Sequence, residues 1–266
     1  MRVSSPLLAI EDAGAGPALV LLHGLATSSV IWASVIGELS RARRVVTVDL
    51  PGFGGSAPVG EDFDLHRVAS RIARGLAARG VTGPYDVVGH SLGGVVAAAL
   101  AASRPRSVGR LVLVAPAGLA PLPPVAIRML AAAADPLLAA RRRLAALAEL
   151  PFGRRALLTF AAADGARIPP SQARMMVQAS GEARRTSAAI TTVGETDLLA
   201  LLDRVDAPVD VIWGDADRTI PSAYAPMLAQ ARPDARIELI AGAGHVVMAE
   251  RPSEFTAALL RLLDAR

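Results

Sequence analysis

The sequence predicts an α/β chain: a doubly wound, mainly parallel sheet with a helical insertion near its middle. Three observations carry this. Short apolar runs bounded by Gly, Pro or Asp alternate with stretches of helical spacing. The runs are continuously apolar, as in strands covered on both faces of a parallel sheet. The alternation also stops after residue 118 and resumes near residue 201, with no convincing strand between. The expected organisation is therefore a core of residues 1–118 and 201–266 around an insert of residues 119–200.

Taken in order, Val3 to Ile10 is a weak first strand, closed by a turn at Gly14, Gly16 and Pro17. Ala18–Leu22 is a fully apolar strand. Ser28 or Ser29 caps a helix that runs to about Leu39, and Arg44–Val48 is the next strand. Residues 49–56 are too rich in Gly and Pro for a regular element. Leu65–Arg79 places Val68, Ile72 and Leu76 on one helical face. Tyr85–Val88 is a strand, Val95–Ala102 a buried helix, and Leu111–Ala115 another strand. The insert reads as helices broken by prolines: Val125–Ala134, Pro136–Leu150, Arg154–Ala163, and Ser171–Val193 with a break near Gly181. Strand Val209–Trp213, helix Ser222–Ala231, strand Ile237–Ile240 and helix Ser253–Leu263 close the chain.

Composition narrows the classes. The chain has 266 residues, 52% hydrophobic and 20% charged, which excludes a disordered chain and permits a sizeable core. It has no cysteine, which excludes disulfides, thiol nucleophiles and thiolate metal sites. The apolar run Pro6–Ile10 is too short for a secretory signal, and no stretch reaches the ~18 apolar residues of a membrane span. A cytoplasmic protein without a membrane span is expected. The net charge of +4 and pI near 10.7 raise nucleic acid as a partner. Yet every basic residue is Arg, thinly spread, and aromatics are 3%, so no nucleic-acid partner is expected. The densest cluster, Arg141-Arg142-Arg143, reads as a solvated helix face.

The chemistry centres on Gly89-His90-Ser91-Leu92-Gly93, between a predicted strand and a predicted helix. A serine on so tight a turn adopts an unfavourable backbone conformation, which small neighbours such as Gly89 and Gly93 tolerate. The helix N-terminus, with the free N–H of Leu92, favours negative charge beside Ser91. A serine hydroxyl needs a base, and the base an orienting acid. Of the four histidines, His66 lies on an amphipathic helix and the His90 side chain is expected to point away from Ser91. His245, in the glycine-rich loop Gly242-Ala243-Gly244-His245, is the candidate base. Asp215 and Asp217, on the loop after Val209–Trp213, are candidate acids.

These motifs resemble the α/β-hydrolase family, in its serine-nucleophile, carboxylesterase-like branch. The pentapeptide is similar to the family's nucleophile elbow. His23-Gly24 is similar to its H-G motif, residues 49–56 to its D-x-P-G-x-G-x-S loop, and Gly244–Phe255 to its C-terminal G-H-x4-E-x-P-x2-F segment. Trp213–Pro221 resembles W-G-x-x-D-x-x-x-P, which implies Asp217 as the triad acid and Asp215 as a turn residue. The resemblance implies a mainly parallel sheet of about eight strands, a helical cap over 119–200, and a Ser91–His245–Asp217 triad. It also implies oxyanion donors at the N–H groups of Leu25 and Leu92, with His23 holding its loop. A serine nucleophile sets the chain apart from the epoxide-hydrolase and haloalkane-dehalogenase branches, whose nucleophile is Asp.

The function expected is hydrolysis of a small or medium carboxylic ester through an acyl-enzyme, with a small-molecule acyl substrate and no cofactor or metal. The same machinery serves thioesterases, lactonases, C–C bond hydrolases and acyltransferases; from another class, a non-catalytic small-molecule receptor can share the fold. A C–C hydrolase acting on an anionic acid needs a fixed cation near Ser91, for which Arg154, Arg155 and Arg174 are candidates. Neutral acyl esters are expected to outrun anionic ones.

Overall fold

A computed structural model describes residues 8–120, 122–183 and 185–264. Its sheet has seven strands: β1 (Ile10–Ala13), β2 (Ala18–Leu22), β3 (Arg44–Val48), β4 (Tyr85–His90), β5 (Val108–Val114), β6 (Val209–Gly214) and β7 (Ile237–Ile240). The spatial order is β1-β3-β2-β4-β5-β6-β7, antiparallel only between β1 and β3. The expected count of about eight is thus seven among the described residues. Residues 3–7 of the expected first strand lie outside those residues; the strand that pairs is Ile10–Ala13. Its Glu11 and Asp12 are exposed on the sheet edge, so an apolar-run reading stops short of them.

The central strands are apolar throughout because both faces are covered. Along β2, Val20 and Leu22 enter one core while Leu19 and Leu21 enter the other. The order reverses beside β2 and β4, as doubly wound sheets do, and the carboxyl ends of these strands open onto a crevice there.

Three helices set the frame. A short 3₁₀ turn capped by the Ser28 side chain leads into α1 (Ala33–Leu39). Asp64 caps α2 (Leu65–Ala78), accepting from Arg67 N–H at 2.7 Å. Val68, Ala69, Ile72 and Leu76 form its buried face, and His66 points to solvent. α3 (Leu92–Ser103) is apolar on all sides and almost wholly buried, which holds the start of this helix firmly at the sheet's carboxyl end. Each buried Val or Leu contributes about 1.5–3 kcal/mol, and α3 contributes Leu92, Val95, Val96 and Leu100.

Between β5 and β6 the chain forms α4 (Pro124–Arg142), α5 (Pro151–Leu157), α6 (Pro170–Glu182), α7 (Thr186–Glu195) and α8 (Leu198–Leu202). Prolines start three of these helices at the first turn, where no N–H is missed. Pro136 does not break α4, contrary to the sequence expectation. An interior proline costs about 3 kcal/mol. Pro136 and Ala132 are both exposed, so the carbonyl that loses its partner lies on the solvent side of the helix, and flanking alanines favour the helix. The helices expected over 136–150 and 154–163 are correspondingly displaced: α4 ends at Arg142, a 3₁₀ turn covers Ala145–Glu149, and α5 ends at Leu157. The break near Gly181 falls between α6 and α7. The chain closes with α9 (Ala225–Ala231), α10 (Val247–Glu250) and α11 (Pro252–Asp264). Among the described residues no helix is long and apolar enough to cross a membrane.

Candidate active site

Ser91 joins β4 to α3 with φ 54° and ψ −117°, a conformation L-residues rarely adopt and one worth roughly 1–3 kcal/mol of strain. Sterics force the flanking glycines. A Cβ on Gly89 would lie 2.3 Å from Gly93 O, and one on Gly93 would lie 2.4 Å from Leu22 O and 2.5 Å from His23 O. The turn is pinned by Ser91 N–H donating to Val114 O at 2.9 Å and by Gly94 N–H donating to Ser91 O at 2.9 Å.

His245 follows β7 on a loop and is buried, as is Asp217. His245 Nδ1–H donates to Asp217 Oδ2 at 2.7 Å, which leaves Nε2 of the neutral ring as an acceptor. The carboxylate is further fixed by Thr219 N–H (2.8 Å) and Ile220 N–H (2.9 Å) on Oδ1 and by Trp213 Nε1–H (3.3 Å) on Oδ2. Asp215 is exposed and accepts from Gly242 N–H at 2.6 Å, bridging two turns.

The loop after β2 packs against the serine turn: a Cβ on Gly24 would lie 3.2 Å from Ser91 Cβ. Leu25 follows on this loop, and Leu92 is the first residue of α3, so its N–H has no acceptor within the helix. His23 is wholly buried under the loop. Leu50 N–H donates to its Nε2 (2.8 Å), so Nδ1 carries the proton and donates to Gly24 O (2.7 Å). Burial holds its pKa below the ordinary imidazole value, against the opposing pull of Asp49.

His90 is closer to this constellation than the sequence reading allowed. Its Nε2–H donates to His245 O at 3.0 Å, its ring centroid is 4.6 Å from that of His245, and its Nδ1 faces Gly24, where a Cβ would lie 2.7 Å away. Burial first, and the neighbouring His245 second, push its pKa well below the ordinary value, so the ring is a neutral prop beneath the His245 loop. Glu250 is a second unforeseen support. Its buried carboxylate accepts from Gly244 N–H (2.7 Å), Ala163 N–H (3.0 Å) and Asp164 N–H (2.7 Å). Val246 N–H also donates to Ala161 O (2.8 Å), and the Thr219 hydroxyl to Phe160 O (2.6 Å). Residues 160–164 therefore bind the loops that carry His245 and Asp217.

Ser91, His90 and His245 line a cavity of about 660 Å³ whose other walls are mostly apolar, including Leu25, Ile31, Leu138, Leu158 and Met176. The three arginines expected as candidate cations are engaged elsewhere. Arg155 pairs with Asp164 at 3.0 Å, Arg174 with Glu149, and Arg154 donates to the carbonyls of Ala148, Glu149 and Ala166. Arg141, expected on a solvated face, lines the cavity instead, while Arg142 and Arg143 are exposed. Its signal was present in the sequence. Ile127, Ala131, Ala134, Leu138 and Arg141 follow helical spacing, and these five face inward on α4. Among the described residues no group of three or more His, Cys, Asp or Glu could hold a metal ion.

Comparison with known proteins bears on the fold and the family. Residues 17–252 match the family model described as the alpha/beta hydrolase fold. The pimeloyl-[acyl-carrier protein] methyl ester esterase of Nitrosomonas europaea is 32% identical over 256 residues, 92% of this chain and 95% of that protein. A bromoperoxidase from Bacillus anthracis superposes with a TM-score of 0.80 at 26% identity, covering 97% of this chain and 95% of that one. An esterase from Thermogutta terrifontis gives 0.77 at 26% identity, covering 96% and 92%. With the family model spanning most of its length and the same sheet beneath it, this chain belongs to the α/β hydrolase fold family and is an esterase-like hydrolase.

Proposed function

We propose that this chain hydrolyses small or medium carboxylic esters through an acyl-enzyme formed on Ser91. The observation that carries the reading is the buried His245–Asp217 pair at 2.7 Å, whose His245 lines one cavity with a serine held at φ 54°. Asp217 fixes the Nδ1–H tautomer, so Nε2 of His245 takes the Ser91 proton as Oγ attacks the ester carbonyl. The resulting oxyanion is received by the N–H groups of Leu92, at the N-terminus of α3, and Leu25; each such donor is worth about 3 kcal/mol in the transition state. His245 then protonates the departing alcohol. Water, activated by the same imidazole, attacks the acyl-enzyme and releases the acid and Ser91. The helices of 119–200 act as a cap that supplies the apolar wall. A relative whose name specifies a methyl ester favours an oxygen ester over the thioester, lactone and C–C alternatives.

The test is Ser91→Ala on p-nitrophenyl butyrate. Turnover should fall by about 10⁴-fold or more, with the melting temperature little lowered or raised, since the substitution removes one oxygen and relieves nothing in the core. A variant that kept a tenth of wild-type turnover would end this reading.

A further inference from the structure

Arg141 stands out among the described residues that line the cavity: it is the one guanidinium among them, and none of them carries a carboxylate. It occupies the last inward position of α4, where the stripe Ile127, Ala131, Ala134, Leu138 calls for an apolar residue. Its Nη2 donates to Leu157 O at 2.5 Å and its Nη1 reaches the Ser180 hydroxyl at 3.5 Å. Both partners are neutral, and the Ser180 hydroxyl already donates to Val177 O at 2.8 Å. Among the described residues no carboxylate lies within ion-pair distance of it. A guanidinium has five N–H donors and does not shed its proton in a protein. Burial lowers the pKa of Arg141 from its ordinary value, the mark of a cation short of compensation. Arg154 shows what a purely structural buried arginine looks like here: three backbone carbonyls hold it, away from the cavity.

We propose that Arg141 forms an anion subsite of the cavity, which takes esters carrying a carboxylate separated from the scissile carbonyl by an apolar segment. The proposal rests on Ser91 acting as the nucleophile. The carboxylate accepts from the free guanidinium N–H groups in the paired geometry that arginine offers. The apolar segment lies along Leu138, Leu157, Leu158 and Met176, which line the same cavity. Half-esters of linear dicarboxylic acids meet both demands, and the anion is then not consumed in the reaction. This revises the expectation that neutral esters outrun anionic ones.

The experiment compares monomethyl glutarate, suberate and azelate with their dimethyl esters, by acid release, in wild type, Arg141→Met and Arg141→Lys. Wild type should prefer the half-ester of the best chain length by at least about 10-fold in kcat/KM. Arg141→Met should lower that preference by roughly 10- to 100-fold, the range for a hydrogen bond to a charged group, and chiefly through KM. Arg141→Lys, which keeps the charge without the fork, should fall between. If Arg141→Met lowers both substrates alike, or wild type prefers diesters, Arg141 only holds the end of α5 and the subsite is refuted while the esterase reading stands. Thermal shift with free suberate and with an alkyl phosphate of matched length forms an independent arm. Suberate should stabilise wild type and not Arg141→Met; stabilisation by the phosphate alone refutes the carboxylate assignment. Arginine-dependent suberate binding without turnover of any ester leaves the subsite standing and refutes the nucleophile instead.

Discussion

Asp217 and Asp215 lie on one loop, and their surroundings differ in each respect that matters to an acid. Asp217 is buried and receives His245 Nδ1–H, two backbone N–H groups and Trp213 Nε1–H, whereas Asp215 is exposed and ties down a turn. Asp217→Asn keeps the shape but puts an amide against the imidazole, which then favours the wrong tautomer; kcat should fall by about 10⁴-fold. Asp215→Asn keeps an oxygen for Gly242 N–H and should change kcat by less than about 2-fold, as surface substitutions usually do. Equal losses in the two variants, measured on p-nitrophenyl butyrate, would contradict this assignment. At this scale the sequence revealed residues whose type and spacing are themselves the signal: a serine between glycines, a histidine on a glycine-rich loop. It hid His90 and Glu250, because what makes them matter is which distant loop each one meets. His90 meets His245 across 155 positions, and Glu250 meets Ala163 across 87.

The elbow is an element whose shape depends on empty space. Gly93 has an ordinary backbone, so its constraint is contact alone: backbone oxygens of Leu22 and His23 occupy the place of a side chain. Leu22 ends the central strand β2 and His23 begins the loop that carries Leu25, so neither oxygen can yield without moving that loop. Gly93→Ala should therefore lower stability by about 3 kcal/mol, at the upper end of overpacking costs, and activity should fall more steeply than unfolding explains. Urea titration beside kinetics on the folded fraction checks both. Most elements were legible because burial on both sheet faces writes itself as uninterrupted Val, Leu and Ile. The exceptions have physical causes. β1 is an edge strand with one covered side, and Pro136 sits on the exposed face of α4.

For the whole molecule, two buried neutral histidines link folding to pH. His23 and His90 both have folded-state pKa values below the ordinary 6.5, chiefly through burial. The unfolded chain therefore binds protons first as the solution is acidified, so the stability these groups confer is complete above 6.5 and is lost as pH falls beneath it. Each contributes a slope of up to about 1.4 kcal/mol per pH unit below that point. The urea midpoint should be flat between about pH 8 and 7 and drop steadily between about pH 6.5 and 5, before ordinary carboxylates titrate. A midpoint unchanged across the lower interval would show that neither ring is kept neutral by the fold.

Glu250 and the backbone of residues 160–164 have a mechanical consequence. This segment, of which Phe160 and Ala161 line the cavity, is stitched to the His245 loop at Gly244 and Val246 and to the Asp217 loop at Thr219. A segment fastened at that corner cannot swing away as a rigid lid without displacing His245. The same stitching limits what can be transplanted. A helical segment borrowed from a relative would bring its own tension on His245, and the exchange would alter the speed of the chemistry as well as the choice of substrate unless residues 160–164 and their carboxylate anchor were kept together.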